Sequence, residues 1–214
     1  MMWIPVTIIA ALIGTTFSAE LLPLVPYPKK IELKTGTFTP AAELNLVVTP
    51  DGPIKDITDV LVGDLAGIGF KVLHGKTQPD RNTQSIELIL SKDLNIAEEG
   101  YELRIDGNIC ITASSPDGLF WGTRTLMQLL RAGPGKAIPQ STITDKPEFP
   151  YRALMIDNAR HFHSIDFHVK MVKSLASFKM NRYQIHFSDH QSYTLPSTLF
   201  PSLPTAGRGC AVER

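Results

Sequence analysis

A proline-rich break at residues 145–150 divides the sequence into two regions with different hydrophobic patterns. The segment reads Asp-Lys-Pro-Glu-Phe-Pro, and each proline restricts the residue before it to extended backbone conformations. A helix does not continue through such a segment, so we interpret it as a linker. The sequence therefore predicts one domain at 20–144 and a second at 145–214.

The region before the linker alternates strand patterns with helix patterns. Apolar alternation predicts strands at five places, which are Glu43–Thr49, 70–74, Ser85–Leu90, Tyr101–Ile105 and Ile109–Ala113. The last two flank an Asp-Gly-Asn turn, which favours a hairpin because Gly and Asn accept positive φ angles. Apolar residues at helical spacing predict helices at 54–66 and from Pro116 towards Gly133, the second capped by Ser115. This pattern is typical of a small α+β domain with helices on a largely antiparallel sheet.

Few polar residues of this first domain are candidates for chemistry. The paired acids Glu98 and Glu99 precede a glycine and a strand, so we expect them at a solvated loop edge. We expect four aromatic side chains to belong to the core rather than to sugar-stacking surfaces, namely those of Tyr101, Trp121, Phe162 and Phe178.

The region after the linker has a strand–helix–strand pattern. Residues 152–157 read as a buried strand, 164–179 as an amphipathic helix and 182–187 as a second strand. Parallel strands joined by a helix present their polar groups at the carboxyl ends of the strands. The polar residues at or just after the carboxyl ends of the two strands are Asp157, Arg160, His186, Asp189 and His190.

Two segments of this region carry a resemblance to a known family. Residues 151–162 (YRALMIDNARHF) and 184–191 (QIHFSDHQ), with Lys-Met-Asn at 179–181, resemble the opening of the catalytic barrel of family 20 glycoside hydrolases, the β-N-acetylhexosaminidases. Upstream, 26–38 and 100–130 are similar to parts of the α+β domain that precedes this barrel. The resemblance implies an α+β domain followed by the opening βαβ unit of an incomplete (β/α)₈ barrel, that is, an α+β and an α/β part.

The resemblance also implies an activity and site residues. Members of the family remove terminal β-linked N-acetylglucosamine or N-acetylgalactosamine from glycans with retention, and the substrate's acetamido group acts as the nucleophile. Arg160 matches the arginine that binds sugar hydroxyls, and Asp189 matches an acid that supports the catalytic network. Asp157, His186 and His161 match supporting positions. No cofactor and no metal is implied.

One feature of the family is missing from this sequence. The family's adjacent Asp-Glu pair orients the acetamido group and protonates the leaving oxygen, but no Asp-Glu dipeptide occurs among the 214 residues. A complete barrel takes about 250 residues, whereas 145–214 is long enough for two strands and one helix. Residues 205–214 show no strand or helix period. We therefore expect a truncated chain that is inactive by itself.

Two other classes of function remain open from the residues alone. Five of the six histidines lie between His161 and His190, and His186 and His190 are four residues apart, so a metal-binding hydrolase is conceivable. The zinc motif with a four-residue spacing of its histidines requires a helix, however, whereas this pair follows a strand pattern. Alternatively, the α+β domain could act as a non-catalytic module. The sequence also leaves open whether Cys110 and Cys210 form a disulfide.

Charge and the N-terminal segment bear on partners and localisation. Lys and Arg (21) balance Asp and Glu (21), so no basic surface is expected for nucleic acid or an anionic membrane. Residues 3–17 are apolar but shorter than the roughly 20 residues that span a membrane. Small residues follow at Ser18 and Ala19. We therefore predict a signal peptide at 1–19 and an exported protein without a membrane span, either periplasmic or extracellular.

Overall fold

The computed structural model describes residues 21–49, 54–74, 83–190 and 192–202. Within these ranges the elements follow one another as β1 (Lys30–Phe38), β2 (Glu43–Thr49), α1 (Lys55–Gly67), β3 (Lys71–His74), β4 (Ser85–Leu90), β5 (Tyr101–Ile105), β6 (Ile109–Ala113), α2 (Pro116–Leu130), β7 (Ile138–Asp145), β8 (Ala153–Asp157), α3 (Ile165–Ser177) and β9 (Arg182–His186). The predicted signal peptide, Cys210 and 205–214 lie outside the described residues.

The first seven strands form one mixed sheet in the order β1-β7-β5-β6-β4-β2-β3. The pairs β1–β7, β7–β5 and β5–β6 are antiparallel, and the pairs β6–β4, β4–β2 and β2–β3 are parallel. The hairpin of β5 and β6 is confirmed, with Ile105 opposite Ile109 next to the turn. The prediction of a largely antiparallel sheet is wrong, because crossovers between β2, β3, β4 and β6 make half of the sheet parallel.

Helices α1 and α2 pack against each other and against the sheet. Their buried side chains join those of the strands in one hydrophobic core, which includes Leu61, Leu65, Leu103, Ile111 and Leu119. Helix α2 begins as the sequence predicts, because the Ser115 hydroxyl accepts a hydrogen bond from the Gly118 N–H at 3.1 Å. A Cβ atom at Gly118 would lie 2.2 Å from the carbonyl oxygen of Gly100, so only glycine permits this approach of α2 to β5. We call this part, 21–145, the seven-stranded unit.

The second part is a parallel pair, β8 and β9, joined by α3, and we call it the βαβ unit. Its register runs from Ala153 opposite Arg182 to Asp157 opposite His186. The strands are less buried than the sequence predicts, since Met155 in the middle of β8 is 54% exposed. The predicted apolar stripe of α3 is also largely exposed, with Ile165 at 80%. Among the described residues, no closed barrel is formed.

The structure also corrects expectations about individual residues near the linker. Strands β1 and β7 were not predicted, and Asp145 is the last residue of β7 rather than the start of a linker. Glu99 is not at a solvated edge, because it forms an ion pair with Arg152 in which both side chains are mostly buried.

Tyr101 and Trp121 are buried as expected, whereas Phe178 is 52% exposed. The described part of the chain contains no helix that is long and apolar enough to cross a membrane.

Candidate functional site

The carboxyl ends of β8 and β9 bring the predicted polar residues to one edge. Asp157 ends β8 opposite His186, the last residue of β9. The Asn158 N–H donates to the His186 carbonyl oxygen at 2.9 Å, which joins the two strand ends. The loops that leave the strands carry Arg160 and Asp189 to the same edge, where they form an ion pair. We call Asp157, Arg160, His186 and Asp189 the rim.

Asp157 fixes the loop that carries Arg160. Its Oδ1 accepts hydrogen bonds from the backbone N–H groups of Ala159 and Arg160, each at 3.0 Å. Its Oδ2 accepts from Nη1 of Arg160 at 2.7 Å. The hydrogen bond from the Arg160 backbone N–H is the main reason that the pKa of Asp157 is lowered. Asp157 therefore remains ionised and orients both the backbone and the side chain of Arg160.

Arg160 lies between two carboxylates. Nη1 contacts Asp157 and Nη2 contacts Oδ2 of Asp189 at 2.5 Å, so opposite sides of the planar guanidinium are fixed. These contacts raise the pKa of Arg160, first through the hydrogen bond to Asp157 and then through the charge of Asp189. The side chain is still 56% exposed. The rim thus presents a permanently charged, oriented guanidinium to solvent.

Asp189 is the centre of the second half of the rim. Its Oδ1 accepts from the backbone N–H of His190 at 2.7 Å and lies 2.9 Å from Nδ1 of that ring. Its Oδ2 lies 3.3 Å from Nε2 of His186. The hydrogen bonds from His190, with smaller contributions from His186 and Arg160, lower the pKa of Asp189 to about 2. Asp189 is therefore an anion at any physiological pH.

His161, the remaining predicted site residue, belongs to a different cluster. Its ring centroid is 4.8 Å from that of His163, which stacks on Phe167 at 4.1 Å. His168 joins the cluster, with Nδ1 2.6 Å from the Tyr183 hydroxyl. His163 and His168 are both half-buried.

This separation bears on the metal-binding alternative. His186 and His190 both contact Asp189, while the other three histidines of the region pack with each other and with aromatic rings. The described residues contain no group of three or more His, Cys, Asp or Glu side chains that could hold a metal ion. These histidines are thus divided between Asp189 of the rim and a separate cluster of rings.

Two polar residues at the rim were not identified from the sequence. Asn158 is 3% exposed, and its Oδ1 accepts the backbone N–H of His163 at 2.6 Å. The Ser192 hydroxyl donates to the carbonyl oxygen of Ala159, and the Ser192 carbonyl accepts from the N–H of Asp189 at 2.9 Å. An Asn after a strand end is a recognisable turn signal. Ser192 has no local signal, because its partner is 33 residues earlier in the chain.

A polar rim at the carboxyl ends of parallel strands, with a helix between the strands, is the arrangement of active-site edges in β/α-barrel enzymes. Comparison with protein families agrees with this class. The model of glycosyl hydrolase family 20, domain 2, matches residues 21–146, and the model of the family's catalytic domain matches residues 149–212. The chain belongs to glycosyl hydrolase family 20.

Individual relatives match most of this chain but only part of their own length. A beta-hexosaminidase of Vibrio furnissii is 32% identical over 197 residues, which are 91% of this chain and 31% of that protein. A beta-hexosaminidase of Porphyromonas gingivalis is 28% identical over 86% of this chain and 25% of its own length. The structure of a Vibrio harveyi family 20 exo-β-N-acetylglucosaminidase in complex with N-acetylglucosamine superposes with a TM-score of 0.76 at 26% identity, covering 87% of this chain and 29% of that chain. The chain thus spans about a quarter to a third of these relatives.

Proposed function

We propose that the rim is one part of the sugar-binding site of a β-N-acetylhexosaminidase that acts on terminal β-linked N-acetylglucosamine or N-acetylgalactosamine. The observation that carries this proposal is the guanidinium of Arg160, held at 2.7 Å from Asp157 and 2.5 Å from Asp189 at the carboxyl ends of β8 and β9. A guanidinium with a fixed plane offers donors in fixed directions, which suits the hydroxyl groups of a single sugar ring.

The roles of the other rim residues follow from their contacts. Asp157 holds the loop of Arg160, and Asp189 fixes the second side of its guanidinium. His186 and His190 stabilise the negative charge of Asp189. Together they place an oriented cation at the edge without a net positive charge, because two carboxylates surround it. Such a site favours a neutral hydroxylated ligand over an anion.

Chemistry requires groups beyond the rim. In the family's mechanism the acetamido oxygen of the substrate attacks the anomeric carbon while an acid protonates the leaving oxygen. The adjacent Asp-Glu pair that serves these steps is absent from the 214 residues. We therefore propose that residues 20–144 and 145–214 are the α+β domain and the opening part of the catalytic domain, and that turnover needs further barrel strands in cis or in trans. We also propose that the chain is exported by a signal peptide at 1–19.

The test joins residues 21–202 to the remaining barrel segment of the Vibrio furnissii beta-hexosaminidase and measures hydrolysis of a chromogenic N-acetyl-β-glucosaminide. We expect turnover by the chimera and none by the 214-residue chain. Because Arg160 would contribute charged hydrogen bonds to the sugar, Arg160→Lys in the chimera should lower kcat/KM by about 100-fold.

Arg182→Lys is the matched control, since Arg182 is exposed at the opposite end of β9. It should leave kcat/KM unchanged within about a factor of two. Hydrolysis by the 214-residue chain alone, or equal activity of the Arg160→Lys and parent chimeras, would overturn the proposal.

A further inference from the structure

The βαβ unit has little hydrophobic core of its own. Ala159 and Leu175 are its only buried hydrophobic residues among those the structure describes. Met155 of β8 and Val169 and Val172 of α3 are each about half exposed. A two-stranded sheet with one helix and so little apolar burial is marginally stable in water. Its order must therefore depend on contacts with the seven-stranded unit.

The first such contact surrounds Arg152, the residue before Ala153 at the start of β8. Its Nη2 forms an ion pair with Oε2 of Glu99, and its Nε donates to the Lys179 carbonyl oxygen at 2.7 Å. The guanidinium also lies over the ring of Trp121, with 5.4 Å between the guanidinium carbon and the ring centroid. Glu99 accepts a further hydrogen bond from Trp121 Nε1 at 2.8 Å. One buried cation thus joins the start of β8, the end of α3 and the seven-stranded unit.

The second contact is the pair of Lys179 and Asp145, whose side chains are 9% and 10% exposed. Nζ of Lys179 lies 2.8 Å from Asp145 Oδ2 and donates to the Tyr101 hydroxyl at 2.8 Å. That hydroxyl also lies 2.6 Å from the Thr125 hydroxyl. Burial lowers the pKa of Lys179, whereas the hydrogen bond and charge of Asp145 oppose this change.

The backbone conformation of Lys179 is unusual for a lysine. Lys179 follows α3 with a φ of 59°, and it is the only non-glycine residue with a positive φ in the described chain. Helix ends of this kind strongly favour glycine, because a Cβ atom is strained in the left-handed conformation. A lysine at this position departs from the local preference, and the ion pair with Asp145 supplies a reason.

Both contacts lie at one end of the βαβ unit. Arg152 precedes β8, and Lys179 lies just before β9, whereas the rim lies at the opposite, carboxyl ends of the strands. Asn181 supports the same end, where its Oδ1 accepts the backbone N–H of Arg152 at 3.0 Å. Fixing where each strand starts fixes the register that places Asp157 opposite His186.

We propose that Glu99, Arg152, Asp145 and Lys179 are positioning residues, through which the seven-stranded unit holds β8 and β9 in the register that forms the rim. The seven-stranded unit is then the scaffold of the site rather than a separate module. This proposal deepens the proposed function, but its readouts are structural and do not require activity, so the two can fail separately.

The test measures amide hydrogen exchange by mass spectrometry on the full 214-residue chain. Lys179→Gly is the decisive variant, because glycine relieves the positive φ and would slow exchange if the side chain were dispensable. We expect the opposite, with exchange in β8, α3 and β9 faster by on the order of 100-fold, because Asp145 is left buried without its cation. Exchange in β5 and β6 should stay close to that of the parent.

Glu99→Gln should show the same regional effect, and Glu98→Gln is its matched control because the neighbouring Glu98 is exposed. Slower or unchanged exchange of the βαβ unit in Lys179→Gly would overturn the proposal. Equally faster exchange in the seven-stranded unit and the βαβ unit would overturn the proposal as well. The two ion pairs would then stabilise the whole chain and would not specifically hold the βαβ unit on the seven-stranded unit.

A second readout separates positioning from general stabilisation. The imidazole NMR signals of His186 and His190 report on the rim, because both rings contact Asp189. In the folded population of Glu99→Gln, a positioning role predicts shifted signals of both rings, and Glu98→Gln should leave them unchanged. Parent-like signals in Glu99→Gln would contradict the positioning role even if the variant were less stable.

Discussion

The seven-stranded unit and the βαβ unit are stabilised by different kinds of contact. In the first, two helices cover a sheet, and residues such as Leu103, Ile111 and Leu119 have no exposed surface. In the second, apolar residues such as Met155 and Val172 are about half exposed. Buried ion pairs at the amino ends of its strands connect it to the seven-stranded unit. The candidate site lies in the unit with the smaller core. The large apolar core and the candidate site thus lie in different parts of the chain.

The largest expected effect on the free energy of unfolding comes from truncating an apolar side chain in the seven-stranded unit, compared with the same kind of truncation in the βαβ unit. Leu103→Ala, in the centre of β5, should lower the free energy of unfolding by about 2–5 kcal/mol, because it opens a cavity among fully buried residues. Met155→Ala, in the centre of β8, should change it by less than about 0.5 kcal/mol, because half of that side chain is already in water. Urea denaturation followed by circular dichroism measures both. Similar losses would show that the units do not differ in this way.

A smaller effect tests how closely α2 packs against the rest of the seven-stranded unit. Gly118→Ala should cost about 1–3 kcal/mol, because its Cβ would lie 2.2 Å from the Gly100 carbonyl oxygen and α2 would have to move. Gly63→Ala in α1 is the matched control, since no atom lies within 4 Å of its added Cβ. That change should stabilise the chain by about 0.5–1 kcal/mol through helix propensity. Thermal unfolding of the two variants should shift in opposite directions, and shifts in the same direction would contradict the described fit.

The smallest expected effect is a pH dependence confined to the βαβ unit. Burial, followed by repulsion from His163, lowers the pKa of His168 below its usual 6.5. The unfolded chain therefore binds a proton at His168 more readily than the folded chain does. The contribution of neutral His168 to folding stability is thus fully present above pH 6.5 and is lost as the pH falls below 6.5. Hydrogen exchange at about pH 7.5 and about pH 5, corrected for intrinsic rates, should show selective loss of protection in α3 and β9 on acidification. His168→Gln should reduce this dependence, and an unchanged dependence would assign it to other groups.

Local sequence signals predicted the elements better than their pairing. The β5–β6 hairpin and the Ser115 cap of α2 are confirmed because each depends on residues close in the chain. Strand β7 was missed, and β2, β3, β4 and β6 were not recognised as a parallel group. Their partners are separated by helices and loops, and no nearby residue specifies which strands pair.

The same limit applies to the residues of the site. Asp157 ends a predicted strand, and Arg160 and Asp189 follow predicted strands, so their meeting at one edge could be anticipated from the βαβ pattern. Glu99 looked like a solvated loop residue, because its partner Arg152 lies 53 residues later. His161 matched the family segment, but ring contacts with His163 place it in a different cluster. The positions of the motifs predicted which residues lie at the strand ends. Side-chain partners that are far apart in the sequence could be identified only from the structure.

The position of β1 has a consequence for the order in which the chain can fold during synthesis. Strand β1 is at the edge of the sheet and pairs only with β7, so its backbone groups have no sheet partner until β7 has been made. Likewise, the backbone N–H of Lys29 cannot form its hydrogen bond until the carboxylate of Asp145, 116 residues later, has been synthesised. A nascent chain therefore carries an unpaired β1 until β7 has been synthesised, and β7 then pairs with β1. Contacts of such long range slow folding and leave a strand edge open to association with other chains.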